Sequence, residues 1–268
     1  MPTPSPCAVV TGACSVIVRE IARRLGARRY TLVLVSENGE RLAAIAAEIF
    51  AAHGTLVHPI VCDLARPEAA GELHAAVAAL GVAVDVLVVN AGMFFFGEVA
   101  DADLARANAM LQLHVVTPSL LCTLFARDMR ARRRGRILFL ASISAWRAFP
   151  GIAYYGGTKT YLRSFAAALR SELAPYGITV TTLAPGATDT GLYDPNVVPI
   201  ERARRFGVMM DPGKVADAGL AALFAGRAQC IPGVFNRLAT IAMMLLPQRA
   251  IDVVRRRAPW LPMARRRS

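Results

Sequence analysis

Short apolar runs alternate with longer segments of helical periodicity along most of the chain. Runs rich in valine, leucine and isoleucine predict strands at residues 7–11, 30–35, 56–62, 84–89, 136–141, 178–183 and 228–231. Apolar residues at helical spacing predict helices at 15–28, 40–52 and 67–80, between the first four of these strands. Near-continuous apolar strands that alternate with helices are typical of a parallel sheet covered on both faces. The pattern therefore predicts an α/β fold with a mainly seven-stranded parallel sheet.

The domain organisation follows from the lack of a linker. No stretch rich in proline, glycine and serine and no internal repeat interrupts the 268 residues. We expect residues 1–233 to form one domain with a substrate lid at about 189–211, and residues 234–268 to be a helical, basic extension of that domain. The apolar run 238–246 is too short to span a bilayer. Its helical spacing, and that of 251–254, could cover a pocket, pair subunits or meet a membrane surface, and the sequence leaves these three open.

The chain is strongly basic, with 31 lysines and arginines against 19 acidic residues and a formal net charge of +12. Lysine occurs only at Lys159 and Lys214, and the arginines fall on predicted helix surfaces or in short runs without interleaved aromatic residues. Because no nucleic-acid motif accompanies these runs, we interpret them as solvated faces and a basic tail, with no nucleic acid as partner. A weak contact between this tail and an anionic membrane surface or an acidic partner stays open.

The cysteines and histidines argue against a metal centre. Five dispersed cysteines and four histidines show no metal-ligand spacing, so we predict no metal site. A reduced intracellular compartment fits this pattern. Residues 1–6 carry three prolines and no basic region of the kind that opens a signal peptide. We expect a cytoplasmic protein.

Polar residues stand where several predicted strands end. Thr11 and Gly12 follow the first strand, Asp63 follows the third, Asn90 follows the fourth and Ser142 follows the fifth. Ligands of open parallel sheets bind beyond the carboxyl ends of the strands. We expect these residues to meet in one site.

A tyrosine and a lysine lie four residues apart at the start of a predicted helix. The i, i+4 spacing of Tyr155 and Lys159 places the phenol and the ammonium on one helix face. A nearby ammonium favours the phenolate, so we expect it to lower the tyrosine pKa toward a range useful for acid/base chemistry. Ser142 can hydrogen-bond a substrate oxygen or the phenolate. Tyr154 is five residues from the lysine and would face elsewhere.

These residues resemble the motifs of the short-chain dehydrogenase/reductase family, from about residue 7 to 231. The matching positions are Thr11, Gly12, Ala13, Asp63, Asn90, Ala91, Gly92, Ser142, Tyr155, Lys159, Pro185, Gly186, Thr188 and Thr190. The resemblance implies a doubly wound Rossmann-type fold, a bound NAD or NADP and interconversion of carbonyl and alcohol. The resemblance implies that Tyr155 is the acid or base and that Ser142 polarises the carbonyl. It also implies that Lys159 lowers the pKa of the tyrosine and holds the nicotinamide ribose.

The resemblance also implies which residues line a cofactor cleft. Asp63 would meet the adenine, Asn90 would line the cleft, and Thr188 and Thr190 would approach the nicotinamide end. The cofactor-binding set expected on this basis is Gly12, Ser15, Ile17, Glu37, Asp63, Asn90, Gly92, Thr188 and Thr190.

The first turn departs from the family pattern T-G-x-x-x-G-x-G, because Val16 and Val18 fill both later glycine positions. Glycines in such turns allow the backbone to approach a pyrophosphate and a helix to pack closely on a strand. We expect a β-branched Val16 to occupy phosphate space and to adopt a positive φ only at a cost. Val18 would push the helix off the sheet unless its neighbours had repacked.

Two further departures lie at Glu37 and His114. NADP-dependent relatives often carry arginine just after the second strand, whereas Glu37 would repel a 2′-phosphate and could bond a ribose diol. NAD is therefore favoured over NADP. His114 replaces an asparagine that anchors a water relay in the family, and it could hold the same water, act as a second acid or base, or be a tolerated helix residue.

Three functions remain open on this evidence. Because the departures lie on cofactor-facing positions, we favour a cofactor-independent reaction, such as cyclisation, isomerisation or elimination on a carbonyl compound, with no nucleotide or a weakly bound one. In it Tyr155 would be the acid/base, Ser142 the oxyanion donor and Lys159 the pKa modulator, with His114 as a candidate second base. The alternative is an NAD(P)-dependent ketoreductase, and the second alternative is a non-catalytic binding subunit.

The candidate substrate pocket is aromatic, which favours a hydrophobic small molecule. The residues expected in it are Phe94, Phe95, Phe96, Phe149, Leu192 and Tyr193. The family resemblance also implies a homo-oligomer, a dimer or tetramer formed through the helices that carry the tyrosine and precede it.

Overall fold

The computed structural model describes residues 5–90, 92–188 and 209–257, the last four of these by their backbone alone. Its strands are β1 (Cys7–Thr11), β2 (Thr31–Ser36), β3 (Val57–Val61), β4 (Val84–Val89), β5 (Gly135–Leu140), β6 (Ile178–Leu183) and β7 (Gln229–Cys230). All neighbours pair in parallel, in the order β3-β2-β1-β4-β5-β6-β7. The predicted seven-stranded parallel sheet is confirmed.

Helices connect the strands and cover both faces of the sheet. They are α1 (Val16–Ala27), α2 (Gly39–His53), α3 (Ala69–Ala79), α4 (Leu104–Leu111), α5 (Thr117–Arg132), α6 (Ala153–Leu173), α7 (Pro212–Phe224), α8 (Val234–Leu245) and α9 (Gln248–Arg257). A π-helical turn, Gln112–Val116, joins α4 to α5, and a 3₁₀ turn, Ile143–Trp146, follows β5.

The apolar strands predicted from the sequence are buried because each lies between two helix layers. One core packs β-sheet side chains against α3, α5 and α6, with Phe125, Phe139 and Leu162 among its members. The other packs the opposite face against α1, α2 and α7. Val18 is completely buried in this second core, which also contains the small residues Ala13, Ala22 and Ala216. The valine at the family's last glycine position is therefore part of the core.

The strand order reverses between β1 and β4. The chain builds β1, β2 and β3 outward in one direction and then returns to place β4 on the other side of β1. Loops leave the two strands in opposite directions at this point, which opens a crevice at their carboxyl ends. The predicted site residues at the ends of β1 and β4 flank this crevice.

A hydrogen-bonded clamp fixes the ends of β1 and β4. The hydroxyl oxygen of Thr11 lies 3.1 Å from the carbonyl oxygen of Val88 and 3.0 Å from that of Asn90, and it accepts the Asn90 backbone N–H at 3.0 Å. Gly12 follows with φ +66°, and a Cβ there would lie 2.5 Å from Nδ2 of Asn90. The turn thus needs glycine for both its backbone angle and its contact.

The helical stretch Leu104–Arg132 has the length and apolar composition of a membrane span, but 44% of its most apolar window is buried inside the fold. It comprises α4, the π-helical turn and α5, and α5 packs on α3 and on β4 and β5. This environment is typical of the core helix of an α/β domain. The proposed division of the chain at residue 233 stays a prediction.

We expect Gly12→Ala to destabilise the fold more than Gly81→Ala, a matched control with φ +67° and no heavy atom within 4 Å of the added Cβ. The control costs only the left-handed backbone penalty, about 1–2 kcal/mol. Gly12→Ala adds crowding against Asn90, roughly 1–3 kcal/mol more. Urea unfolding of both variants measures the difference, and equal losses would show that the clamp tolerates a methyl group.

Candidate active site

A cleft of about 610 Å³ lies at the carboxyl ends of β1, β4, β5 and β6. It brings together most of the residues that the sequence predicted to be catalytic or cofactor-binding. Those on its wall are Ser15, Ile17, Asn90, Gly92, Phe94, Phe96, Ser142, Tyr155, Lys159 and Thr188. The expectation that polar strand ends converge is therefore met by the geometry of the fold.

A second cavity of about 350 Å³ adjoins the cleft and shares part of its wall. Its predicted members are Gly12, Ser15, Glu37, Asp63, Asn90 and Gly92. The shared wall includes Arg41, a residue that sequence analysis overlooked. Arg41 lies in the first turn of α2, and its backbone N–H is held by the capping side chain of Asn38 at 2.9 Å. A basic residue three positions after a helix cap was the signal that could have revealed it.

The first turn of α1 opens toward both cavities. Ser15 caps the helix by position, yet its side chain makes no capping hydrogen bond, and the first turn holds no acidic residue. The first N–H groups of a helix lack intrahelical partners and attract anions such as phosphate. Ser15, Val16 and Ile17 all line the larger cleft. The helix start thus fits a phosphate-bearing ligand.

The expectation of backbone strain at Val16 is wrong. Val16 is the first residue of α1, and among the described non-glycine residues only Arg29 and Arg133 have positive φ. A helical residue has φ near −60°, which valine adopts readily. The positive φ of the turn falls on Gly12, which is retained.

Tyr155 and Lys159, which the sequence predicts to be catalytic, both lie on α6 and approach each other. Lys159 is 3% exposed, and its Nζ donates to the carbonyl oxygen of Leu140 at 3.1 Å. The same Nζ lies 5.5 Å from the centroid of the Tyr155 ring. Burial lowers the pKa of Lys159 to about 8, so the ammonium persists at neutral pH and loses its charge in mildly alkaline solution. A positive charge thus stands beside the phenol.

Ser142 follows the end of β5 in an extended conformation, and its Oγ accepts the backbone N–H of Ser144 at 3.2 Å. That bond leaves the hydroxyl proton of Ser142 free to be donated elsewhere. Ser144 also lines the cleft, and its buried hydroxyl has no hydrogen-bond partner among the residues that the structure describes. The sequence did not predict Ser144 as a site residue, because a serine two positions after another carries no distinctive signal.

The aromatic residues after β4 divide between the cleft and the surface beside it. Phe94 packs edge-on against Tyr155, with ring centroids 4.9 Å apart, and against Phe96 at 4.8 Å. Phe95 turns away, toward Tyr154 and the guanidinium of Arg106. Phe149 does not line the cleft either, unlike Ile143 and Ile152, which were not predicted. The pocket wall is therefore apolar, as predicted, with partly different members.

Several predicted residues fall outside the described part of the chain. They are Thr190, Leu192 and Tyr193, together with all of the expected lid except residues 209–211. Thr188 is described and buried, and its hydroxyl donates to the carbonyl oxygen of Gly186 at 3.1 Å.

His114 is completely buried in the π-helical turn, with both ring nitrogens engaged. Nε2 accepts the backbone N–H of Met93 at 3.3 Å, so the neutral ring carries its proton on Nδ1. Nδ1 lies 3.0 Å from Oγ1 of Thr158, which donates to the carbonyl oxygen of Tyr155 at 2.8 Å. Burial, assisted by the charge of Lys159, lowers the pKa of His114 to about 2. This favours a positioning role over an acid/base role.

Comparison with known proteins places this site in a family. The sequence pattern of short chain dehydrogenases matches residues 6–197. An uncharacterized oxidoreductase of Bacillus subtilis is 31% identical over 232 residues, which is 84% of this chain and 94% of that protein. The chain belongs to the short-chain dehydrogenase/reductase family.

Two further proteins that are similar to this chain are a reductase and an oxidoreductase. A 3-oxoacyl-[acyl-carrier-protein] reductase of Aquifex aeolicus is 29% identical over 184 residues, 69% of this chain and 74% of the reductase. The crystal structure of a metagenomic short-chain oxidoreductase in complex with NADP is 29% identical, with a TM-score of 0.71. It covers 85% of this chain and 98% of that one.

These comparisons overturn the hypothesis of a cofactor-independent reaction. The relatives are named oxidoreductases and reductases, and one is bound to NADP. The hypothesis depended on departures from the family pattern at cofactor-facing positions, namely Val16 and Val18, Glu37 and His114. Val16 needs no unusual backbone angle, although it lines the cleft, and Val18 is absorbed into the core, so neither strains the backbone at the helix start.

Acid stability tests the neutral state of His114. Between the unfolded pKa near 6.5 and the folded value of about 2, only the unfolded chain binds this proton. The free energy of unfolding therefore falls as the pH decreases below about 6.5, by up to about 1.4 kcal/mol per pH unit from this group. His114→Asn, which cannot titrate, should show a shallower fall in denaturant titrations from pH 7 to 5.

His114→Gln, which cannot titrate either, provides the matched control and should show the same shallower fall as His114→Asn. A wild-type slope in His114→Asn would mean that the imidazole is protonated in the folded protein.

Proposed function

We propose that this protein is a nicotinamide-dependent oxidoreductase that interconverts a ketone and a secondary alcohol on a hydrophobic small molecule. One observation carries the proposal. A single crevice runs from the open start of α1 to the pair of Tyr155 and Lys159, because the two cavities share the wall formed by Ser15 and Asn90. Such a crevice suits an elongated ligand with a central phosphate group and a reactive end.

The residues present fit a dinucleotide along this crevice. The N–H groups at the start of α1, with Ser15, would hold the pyrophosphate. Glu37 and Asp63 would lie at the adenosine end, while Lys159 and Thr188 would lie at the nicotinamide end. When bound there, a nicotinamide cofactor supplies or accepts the hydride.

The side chains of the chain itself supply the proton chemistry. Tyr155 donates its phenolic proton to the carbonyl oxygen during reduction and takes a proton back during oxidation. Ser142 donates a hydrogen bond to the same oxygen, which stabilises the negative charge that develops there. Lys159 stabilises the phenolate through its buried ammonium, because opposite charges interact strongly away from bulk water.

The pocket wall supports a hydrophobic substrate. Phe94, Phe96, Ile143 and Ile152 surround the tyrosine side of the cleft, and its lining exposes more apolar than polar atoms. The polar groups of the wall next to Tyr155, which are Ser142, Ser144 and Lys159, are few beside these apolar side chains. A ketone flanked by apolar substituents fits this composition.

NAD is the preferred cofactor in this proposal. Glu37 stands at the end of β2 in the smaller cavity, where its carboxylate would repel a 2′-phosphate and accept hydrogen bonds from a ribose diol. Arg41 in the same wall brings a positive charge that offsets this repulsion in part. The balance between these two side chains sets the preference.

Substitution of Tyr155 separates catalysis from binding. Tyr155→Phe removes the proton donor and keeps the ring against Phe94, so we expect kcat to fall about 10²–10⁴-fold while nucleotide affinity is retained. Reduction of hydrophobic ketones, followed by NADH absorbance, measures the former, and calorimetry measures the latter. Tyr154→Phe is the matched control and should keep near-wild-type activity, because Tyr154 faces Phe95.

Unchanged ketone reduction by the Tyr155→Phe variant would show that Tyr155 is not the proton donor. Absence of saturable NADH or NADPH binding to the wild type would contradict the redox proposal itself.

Substitution of Glu37 tests the cofactor preference. Glu37→Ser removes the carboxylate at the adenosine end and should raise NADPH affinity relative to NADH by roughly tenfold, equivalent to the loss of one near-surface charge repulsion. Glu40→Ser, in the first turn of α2 but outside both cavities, should leave the ratio unchanged. An unaltered ratio in Glu37→Ser would assign the discrimination to other residues.

A further inference from the structure

Helix α8 (Val234–Leu245) exposes its apolar face and buries its polar one. Its buried side chains are Asn236 and Thr240, which are 3% and 1% exposed. Its largest exposed side chains are Val234, Phe235, Leu238, Ile241, Met244 and Leu245. A surface helix of an isolated globular domain has the opposite arrangement. The outer face of α8 is therefore built to contact something other than water.

The exposed apolar residues form one continuous surface. Val234, Leu238, Ile241 and Leu245 follow each other at intervals of four, three and four residues, which places them on one side of the helix. We call these four residues the apolar stripe. Leu245 is 80% exposed and Leu238 62%, values far above those of ordinary core-facing leucines in this fold.

Polar contacts on the inner side fix this orientation. Nδ2 of Asn236 donates to the carbonyl oxygen of Pro232 at 3.0 Å, and Thr240 donates to the carbonyl oxygen of Asn236 at 2.7 Å. A Cβ on Gly186 would collide with the Asn236 side chain, so the two residues pack in direct contact. A roll of α8 that buried the apolar stripe would leave these polar groups unpaired or exposed, at a cost.

The positive charge of the C-terminal segment indicates which kind of partner the outer face of α8 contacts. Residues 234–268 contain eight arginines and one acidic residue, Asp252, which is +7 of the formal net charge of +12. Arg237 lies exposed on α8 itself, and Arg249 lies exposed at the start of α9. An apolar helix face within such an arginine-rich segment of the sequence matches an anionic lipid surface, where each basic residue is attracted and the apolar side chains enter the acyl boundary.

We propose that the outer face of α8 docks on an anionic lipid bilayer, with the helix lying in the plane of the interface and the apolar stripe inserted. A second copy of the chain is the less favoured occupant, because dimerisation through α8 would bring two strongly basic segments together. A helix of 12 residues inserts along the surface, since it is too short to cross the hydrocarbon core.

Docking would also place the cleft near the lipid. α8 contacts the 3₁₀ turn Ile143–Trp146 and Gly186, both of which belong to the cleft wall. The cleft would then lie about one helix diameter, roughly 10 Å, from the membrane surface. The importance of this distance for catalysis rests on the proposed function, whereas the docking itself does not.

Co-sedimentation of the purified full-length protein with vesicles tests the proposal. We expect binding to phosphatidylcholine vesicles that contain phosphatidylserine, weaker binding without phosphatidylserine, and a loss of binding at high salt. The double variant Leu238→Gln/Ile241→Gln should bind at least about tenfold more weakly, because two inserted side chains are lost. Phe50→Gln/Leu56→Gln, with similar exposure on the opposite edge of the fold, should bind as the wild type does.

The three other outcomes each overturn the proposal. They are no binding to phosphatidylserine vesicles, equal binding of the stripe variant and the wild type, and a dimer that the stripe variant dissociates without any vesicle binding. Because Leu238 and Ile241 both face solvent in the isolated chain, the double variant should unfold at the wild-type temperature. The single variant Leu245→Gln repeats the test with the most exposed position if the double variant fails to fold.

Ketone reduction in vesicle-free solution should be unchanged in the stripe variants. Failure of docking and failure of the redox function therefore remain distinguishable.

Discussion

The junction between the ends of β1 and β4 is the constraint on which the rest of the structure depends. There the Thr11 hydroxyl contacts two backbone carbonyl oxygens of the neighbouring chain segment and accepts an N–H from it, and Gly12 turns the chain with a positive φ directly beneath the Asn90 side chain. Because the turn is fixed in this way, α1 begins at Val16, and its first residues line the crevice. A sheet whose order reverses at this point opens a crevice for a ligand there, and this crevice continues past the ends of β5 and β6.

A second set of contacts lies at the Tyr155 end of the crevice. The buried Lys159 ammonium is satisfied by the Leu140 carbonyl at the end of β5, which places the charge next to the Tyr155 ring. His114 ties the chain after β4 to α6 through Met93 and Thr158. A histidine in this place works as a neutral connector, since burial makes its charged form unfavourable. Hydrogen bonds therefore fix Lys159 to the end of β5 and tie the segment after β4 to the start of α6.

The two valines show that a sequence motif can mislead when the backbone conformation at its positions is not known. The glycine that the turn physically requires is Gly12, the residue with φ +66°. Val16 occupies a helical position and Val18 a core position, where a β-branched side chain meets no conformational obstacle. The sequence departure is real, but the inference of a lost cofactor from it was wrong, since relatives named as oxidoreductases share the family pattern over most of the chain.

By itself, the sequence determined the sheet, the helices between its strands and the meeting of Ser142, Tyr155 and Lys159, because periodicity and strand ends follow from local chemistry and from general rules of chain topology. Only the tertiary structure decided which way ambiguous side chains face. It separated Phe94 from Phe95, placed Arg41 in the crevice, and turned the apolar side of α8 outward. Those outcomes depend on contacts between residues far apart in the chain, such as that of Asn236 with Gly186, which no local pattern encodes.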